Sequence, residues 1–248
     1  MTPDLSVALA GVRLPNPLVL ASGIWGSAAG TLVRAAQGGA GAVTSKSCSL
    51  EPRAGHPNPT VLHWGHGLIN AVGLSNPGAI AERQELLDAR AGLAVTGAAL
   101  IASVFGDTPE AFAAAVEIVA QAEPEIIELN ISCPNVQSEF GRPFALDPVA
   151  AAQVTRAVRD VYAGPLLVKL SPNADELLAV GRAVVAAGAD GLTMGNTLGP
   201  GMLIDLEARR PILSNRVGGL SGPAVRTGAD RRRDRGPGRA RRRQLLRP

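Results

Sequence analysis

The sequence EIIELNISCPN at residues 125–135 joins a short apolar run to a group of polar side chains. The run at 125–131 is continuous rather than alternating, which is typical of a parallel strand covered on both faces. The polar residues Asn130, Cys133 and Asn135 follow it, and the chain turns at Pro134. This stretch therefore predicts a buried strand that ends in a group of candidate catalytic and ligand-binding side chains.

Five further runs of the same kind predict five more strands, at 17–21, 40–45, 98–104, 165–170 and 189–195. Helical stretches fill the gaps, and this alternation indicates a parallel sheet. No GxGxxG motif follows the first strand, which disfavours a dinucleotide-binding sheet. Polar residues at successive strand ends are instead the pattern of a barrel; they are Ser22, Lys46, Asn130, Lys169 and Asn196. We predict an α/β fold, a (β/α)8 TIM barrel with about six of eight strands present, closed below by a hairpin within 5–14.

Several local signals predict where the helices begin and end. Helix starts are expected where an N-cap residue precedes Pro or acidic residues; the positions are Asn76-Pro77, Thr108-Pro109, Asp147-Pro148 and Asn173. Gly92 and Gly188 are expected at helix C-termini. The helix after Asn173 is expected to bury one face, formed by Leu177, Val180, Val184 and Ala187.

The charge distribution divides the chain into two parts. Residues 1–225 carry 14 basic and 19 acidic residues, whereas 226–248 carry ten Arg and two Asp. We expect 1–225 to form the barrel and 226–248 to be an Arg-rich disordered tail. Its restriction to almost only Arg, Gly, Asp, Ala and Pro suggests an out-of-frame reading of a GC-rich gene. A basic tail could otherwise bind nucleic acid through phosphates, although it lacks aromatic residues for stacking.

Other classes are excluded by composition. No apolar run is long enough to span a membrane, and the start lacks a secretory signal. The two cysteines, Cys48 and Cys133, form no CxxC pair, which favours a reducing, cytoplasmic setting over a disulfide framework.

Three histidines occur in a polar loop, and HxxH at 63 and 66 hints at a metal. No Cys or carboxylate cluster accompanies it, so we predict a surface loop and no metal.

The candidate chemical groups are amides, a thiol and two lysines. Asn130 and Asn135 offer donors and acceptors suited to a planar ligand, and Cys133 is either a nucleophile, a proton-transfer base or a buried inert thiol. The chain has 22 Arg but only Lys46 and Lys169 as lysines, both at strand ends. An ammonium beside an electron-accepting ring stabilises its reduced anion, so a flavin is one plausible ligand and a phosphorylated substrate another.

Six motifs, in order, resemble class 1 dihydroorotate dehydrogenases over about residues 5–225. They are TSKS at 44–47, NAVGLSNPG at 70–78, NISCPN at 130–135, LVKLSPN at 167–173, NTL at 196–198 and GGLSGP at 218–223. The loop at 67–78 and the stretch at 196–225 look most like class 1B catalytic subunits. The resemblance implies an FMN-dependent barrel that oxidises dihydroorotate to orotate in pyrimidine biosynthesis. It also implies two further strands beyond GGLSGP, so the chain is expected to be C-terminally truncated or frameshifted.

The resemblance assigns roles residue by residue. Cys133 would be the base that removes a substrate proton before hydride passes to the flavin. The substrate would be held by Lys46, Asn70, Ala71, Val72, Gly73, Leu74, Asn130, Asn135, Asn196 and Thr197. The FMN would be lined by Ser22, Lys46, Ser47, Ser103, Asn130, Lys169, Gly195 and Gly222, with Ser103 standing where the family usually has Asn.

The resemblance also implies a partner and leaves alternatives. A class 1B chain would work with an iron–sulfur and FAD electron-transfer subunit in a heterotetramer that reduces NAD⁺, whereas fumarate reduction would indicate class 1A. Another pyrimidine-handling flavin barrel, such as a dihydropyrimidine dehydrogenase domain, is the alternative enzyme. An inactive truncated product with a nucleic-acid-binding tail is the alternative of a different class.

Overall fold

A computed structural model describes residues 3–26, 28–132 and 143–226 of the chain. Five α-helices and fourteen strands occur in these ranges. The strands are β1 (Val7–Leu9), β2 (Val12–Leu14), β3 (Val19–Leu20), β4 (Ala42–Thr44), β5 (Val61–His63), β6 (Leu68–Asn70), β7 (Ala99–Val104), β8 (Ile126–Asn130), β9 (Leu166–Leu170), β10 (Gly191–Met194), β11 (Leu198–Gly201), β12 (Ile204–Asp205), β13 (Arg210–Pro211) and β14 (Gly218–Ser221). The helices are α1 (Ala29–Gln37), α2 (Ala79–Leu93), α3 (Pro109–Val119), α4 (Pro148–Val161) and α5 (Leu177–Ala186).

Six strands form one parallel sheet in the order β3-β4-β7-β8-β9-β10. One helix lies in each connection between neighbouring strands. The strand order follows the chain order without reversal, as in a barrel, whereas a doubly wound sheet reverses its order at a switch point. All six predicted strands and the barrel-type winding are therefore confirmed.

Alternate side chains of the sheet enter two separate apolar layers. The outward layer packs against the helices and includes Leu100, Leu129 and Val168. The inward layer is smaller and comprises Leu14, Ala42, Ala99, Ile101, Ile126 and Leu167. Leu14 comes from the β1–β2 hairpin, whose Leu9 and Val12 also pack there. The hairpin thus covers the end of the sheet where the strands begin, as predicted.

A second, four-stranded antiparallel sheet has the order β11-β14-β6-β5. Strands β5 and β6 belong to the segment after β4, and β11 and β14 belong to the segment after β10. Both segments leave the carboxyl ends of parallel strands, so this sheet lies at that edge. Residues 218–221 of the GGLSGP motif form strand β14, which pairs with β6 through Asn70, Ile69 and Leu68.

Two predicted helix starts are confirmed and two are wrong. Thr108 accepts a hydrogen bond from the Ala111 amide, and Asp147 caps α4 in the same way. Helix α2 begins at Ala79 after Gly78, since Asn76 instead binds the backbone of Ser49 and Gly78. Helix α5 begins at Leu177, four residues after Asn173.

The two predicted helix ends also differ in outcome. Gly188 follows α5 with φ +111°, as expected for a C-terminal glycine. Gly92 lies inside α2 rather than at its end, and a Cβ there would lie 2.5 Å from Val33 Cγ2. The glycine at 92 therefore allows α1 and α2 to approach closely. The predicted buried face of α5 is confirmed by the burial of Leu177, Val180 and Val184.

Candidate active site

The predicted polar residues lie at the carboxyl edge of the parallel sheet. Ser22 follows β3, Lys46 follows β4, and Asn196 follows β10, while Asn130 and Lys169 lie at the ends of β8 and β9. Asn130 and Lys169 are direct neighbours in the β8–β9 register. Because every strand of the sheet runs the same way, these groups belong to one edge.

Ser47 is the hub of a buried hydrogen-bond network at this edge. Its Oγ lies 2.8 Å from Ser103 Oγ and 3.3 Å from Ser22 Oγ, and it accepts a bond of 2.9 Å from Asn130 Nδ2. Four residues predicted to line the cofactor are thereby joined across β3, β4, β7 and β8. The hydroxyl of Ser103 takes part directly in this network.

The other side of Asn130 leads to the segment after β10. Asn130 Oδ1 accepts bonds from the Ser132 hydroxyl at 2.5 Å and the Ser132 amide at 3.4 Å. The Ser132 hydroxyl in turn accepts a bond from Asn196 Nδ2. Asn196 Oδ1 accepts from the Thr197 amide at 2.8 Å. The two asparagines predicted on different strands are thus connected through one serine.

Glu128 is a buried member of the network that the sequence reasoning missed. It is 4% exposed and lies on β8, two residues before Asn130 on the same face of the strand. Its carboxylate accepts from Ser103 Oγ at 3.3 Å and from Thr193 Oγ1 at 2.7 Å. The available sequence signal was a single carboxylate in the middle of an otherwise apolar strand.

The two lysines lie at this edge with different surroundings. Lys46 is half-buried, and its Nζ lies 4.0 Å from where a Cβ on Gly23 would be. Lys169 is 7% exposed and has Asn130 and Thr193 as its strand neighbours. Within the described ranges, the Lys169 ammonium has no hydrogen-bond or ion-pair partner. A cation at the end of a nearly buried side chain, with no partner among the described residues, suits an electron-rich ligand.

The loop predicted to hold the substrate, 70–74, is fixed by surrounding residues. Asn70 ends β6, and its Nδ2 donates to the Gly219 carbonyl at 3.3 Å. His56 binds this loop twice, since its amide donates to the Val72 carbonyl at 3.1 Å and its Nδ1 lies 3.0 Å from the Ala71 carbonyl oxygen. The prediction of a mere surface loop missed this supporting role of His56.

Glycines allow close approach within the same loop and opposite it. Gly73 has φ +77°, and a Cβ on it would lie 2.7 Å from the backbone nitrogen of His56. A Cβ on Gly219 would lie 2.0 Å from Thr197 Oγ1. Only glycine fits both positions, which brings strand β14 against the Thr197 side chain. The predicted cofactor glycines Gly195 and Gly222 also have positive φ, at +110° and +94°.

Some predicted features fall elsewhere. Cys133 and Asn135 lie outside the described residues, directly after Ser132. His63 is the last residue of β5 rather than part of a loop, and the ring of His66 packs edge-on against Trp64. Within the described ranges, no three His, Cys, Asp or Glu side chains lie close enough to hold a metal ion. None of the helices there is both long and apolar enough to span a membrane.

Comparison with known proteins identifies the family. The family model described as dihydroorotate dehydrogenase matches residues 4–231. The chain belongs to the dihydroorotate dehydrogenase family. Within this family it is 44% identical over 222 residues to the protein named "Dihydroorotate dehydrogenase B (NAD(+)), catalytic subunit" of Methanothermobacter thermautotrophicus. It is 43% identical over 224 residues to the protein of the same name from Pyrococcus horikoshii. The match to class 1B catalytic subunits confirms the resemblance seen in the sequence motifs.

The extent of these matches is also informative. The two alignments cover 90% of this chain and 71% of each relative. A solved dihydroorotate dehydrogenase from Eimeria tenella, in complex with ferulenol, superposes with a TM-score of 0.72 at 20% identity. That comparison covers 89% of this chain and 65% of the solved one, so the chain spans less than two thirds of that protein. The likeness shows that this dihydroorotate dehydrogenase family member has the family's barrel fold.

Proposed function

We propose that this chain is the catalytic subunit of a class 1B dihydroorotate dehydrogenase, an oxidoreductase that converts dihydroorotate to orotate in pyrimidine biosynthesis with FMN as cofactor. The observation that carries the proposal is the amide and hydroxyl network that joins Asn130 to Ser47 and Asn196. It presents fixed donors and acceptors beside Lys169, which pairs with Asn130 in the β8–β9 register. Relatives that are 43–44% identical to the chain over the aligned 222–224 residues bear the name of this enzyme.

The described residues fit a flavin at the carboxyl edge. The Lys169 ammonium, which has no partner among the described residues, provides a cation for an electron-rich ring. Gly195 has a positive φ, and no described atom lies within 4 Å of its Cβ position, which leaves room for a ligand. We assign the FMN-lining role to Ser22, Lys46, Ser47, Ser103, Asn130, Lys169, Gly195 and Gly222. When bound, the FMN supplies the acceptor for a hydride from the substrate.

The chain's own residues bind the substrate and move its proton. We assign Asn70 and the backbone of 71–74 to one side of the substrate ring, and Asn130, Asn135, Asn196 and Thr197 to the amide and carbonyl groups of the ring. We assign Lys46 to contact both the FMN and the substrate. Cys133 follows Ser132 and takes the substrate proton on Sγ, which requires a thiolate. The network holds Asn130 and Asn196 before the ligand arrives, so little ordering remains for binding.

Electrons must leave the chain through a partner. The relatives are named as catalytic subunits of an NAD⁺-linked enzyme, which implies a second subunit. The whole sequence has two cysteines, too few for an iron–sulfur cluster held by four thiolates. We propose that a partner subunit carries iron–sulfur and FAD in a heterotetramer. A cytoplasmic location is part of the proposal, since the widely separated cysteines do not suit a disulfide framework.

Steady-state assays of the purified chain test this proposal. The chain, loaded with FMN, is incubated with a redox dye and either dihydroorotate or dihydrouracil. Dye reduction with dihydroorotate alone supports the proposal. Reduction with dihydrouracil alone would instead identify a dihydropyrimidine-handling enzyme. Rapid NAD⁺ reduction without any partner would contradict the proposed second subunit, and fumarate reduction would indicate class 1A.

A further inference from the structure

The hydrogen bonds around Glu128 have a definite direction. An ionised carboxylate can only accept, so the Ser103 hydroxyl donates its proton to Glu128 at 3.3 Å. A hydroxyl has one proton, so the 2.8 Å contact between Ser103 and Ser47 must be a donation from Ser47 to Ser103. Since Ser47 donates its only proton to Ser103, it can only accept a hydrogen bond from Asn130. The carboxylate thus sets the direction of every bond up to that asparagine.

The same reasoning sets the orientation of the Asn130 amide. Ser47 requires a donor from Asn130, so Nδ2 faces Ser47 and Oδ1 faces Ser132. Oδ1 accepts from both the hydroxyl and the amide of Ser132, which occupies its two lone pairs. One N–H of Nδ2 is left over. In this orientation, Asn130 can therefore offer a ligand only a donor, and the group that it recognises must be an acceptor such as a ring carbonyl.

We propose that Glu128 is a positioning residue that keeps Asn130 as a hydrogen-bond donor toward a carbonyl of the ligand, acting through Ser103 and Ser47. The proposal rests on the proposed function, because the ligand carbonyl is taken to belong to orotate or FMN. It goes beyond the assigned contacts, since Glu128 is not among the residues assigned to either ligand. Without the carboxylate, the Ser103 and Ser47 hydroxyls can reverse, and only the bonds from Ser132 then oppose a turn of the Asn130 amide that presents its oxygen to the ligand.

The structure favours this role over a purely structural one. A carboxylate that is 4% exposed must be desolvated, and an apolar residue of similar size in such a site is often equal or better for stability. Glu128 accepts two hydrogen bonds, and only one of the two donors is connected to Asn130. The Ser103 bond leads to Asn130, whereas the Thr193 bond at 2.7 Å leads no further within the described residues. Removing each bond separately therefore distinguishes positioning from support of the fold.

The variants follow from these two branches. Glu128→Leu removes the acceptor, and Glu128→Gln restores one oxygen that can face Ser103. Ser103→Ala cuts the branch to Asn130, and Thr193→Val cuts only the other branch. Each chain is labelled with ¹⁵N-asparagine, and the Asn130 side-chain signal is assigned as the one missing from Asn130→Asp. The hydrogen-exchange rate of that amide is measured without ligand, and the orotate dissociation constant is measured on the FMN-loaded chain.

We expect both Glu128→Leu and Ser103→Ala to raise the exchange rate of the Asn130 side-chain amide about tenfold. Both should also raise the orotate dissociation constant about tenfold, which corresponds to the free energy of one hydrogen bond. Glu128→Gln recovers most of both values, and Thr193→Val stays within about twofold of the parent chain. Unchanged exchange in both Glu128→Leu and Ser103→Ala would overturn the proposal, as would an equal loss in Thr193→Val. If the parent chain binds no orotate, the proposed function fails, while the exchange rates still decide the role of Glu128. Should Glu128→Leu not fold, Ser103→Ala alone decides it.

Discussion

Replacing Lys169 with Met should make the ligand-free chain more stable and lower its affinity for FMN. The substitution keeps the apolar stem of Lys169, a residue that is 7% exposed, and removes the ammonium. Because that ammonium has no partner within the described residues and lies at the end of a nearly buried side chain, its partial desolvation costs about 1 kcal/mol. We expect the ligand-free variant to gain stability of that order. For a chain of this size, each kcal/mol raises Tm by roughly 2–4 °C.

The same substitution should act in the opposite direction on cofactor binding. A hydrogen bond from an ammonium to a ligand contributes about 1.5–3 kcal/mol. Its loss should raise the FMN dissociation constant about 10- to 150-fold. Circular dichroism melting curves give the first quantity, and quenching of FMN fluorescence on titration gives the second. Opposite signs are the signature of a residue retained for binding at the expense of stability.

A matched control removes a cation from the surface. Arg182 lies exposed on α5, so Arg182→Met should change neither the Tm by more than a degree or two nor the affinity for FMN. If Lys169→Met instead destabilises the ligand-free chain and leaves FMN affinity unchanged, Lys169 serves the fold. The reasoning about a partnerless cation at the flavin would then be refuted.

Three further substitutions or labelling experiments test other parts of the site. Cys133→Ala should retain FMN but slow its reduction by dihydroorotate about 10²–10⁴-fold in stopped flow, the size of general-base catalysis; an unchanged rate would contradict the assigned role. Gly73→Ala should raise the KM for dihydroorotate, since a Cβ would lie 2.7 Å from the His56 nitrogen. Gly11→Ala is its control, with φ +83° but nothing within 4 Å, and an equal KM in both variants would refute the steric argument. Burial, reinforced by the Glu82 carboxylate, raises the pKa of the Cys48 thiol, so iodoacetamide at neutral pH should leave Cys48 unlabelled until the chain is unfolded; peptide mass spectrometry detects a native-state label, which would contradict this.

The parallel sheet was predictable because its information is local. Each strand is a continuous apolar run. The four central strands β4, β7, β8 and β9 are buried on both faces, whereas the edge strands β3 and β10 are partly exposed. Capping by Thr108 and Asp147 was predictable for the same reason, since each side chain bonds to amides two or three residues ahead. Asn76 was mispredicted because its side chain found partners on Ser49, 27 residues earlier in the chain, and no local signal reveals that contact.

From the pattern of strands alone, without the family resemblance, the candidate site was predictable at its strand ends. Ser22, Lys46, Asn130 and Lys169 could be singled out because polar groups after parallel strands meet at one edge. Glu128 could not be connected to its partners, because Thr193 lies 65 residues away in sequence. The second sheet was missed because LGPG at 198–201 has no strand periodicity and pairs only through the tertiary fold.

Anaerobic addition of dihydroorotate to the purified, FMN-loaded chain tests the central claim most directly. The flavin absorbance is followed without dye, partner or external acceptor, so that only the chain's own site contributes. The proposed function predicts that dihydroorotate bleaches the flavin and that orotate forms in equal amount, while dihydrouracil leaves the flavin oxidised. A flavin that binds the chain and stays oxidised with dihydroorotate, or one that is bleached only by dihydrouracil, would contradict the account.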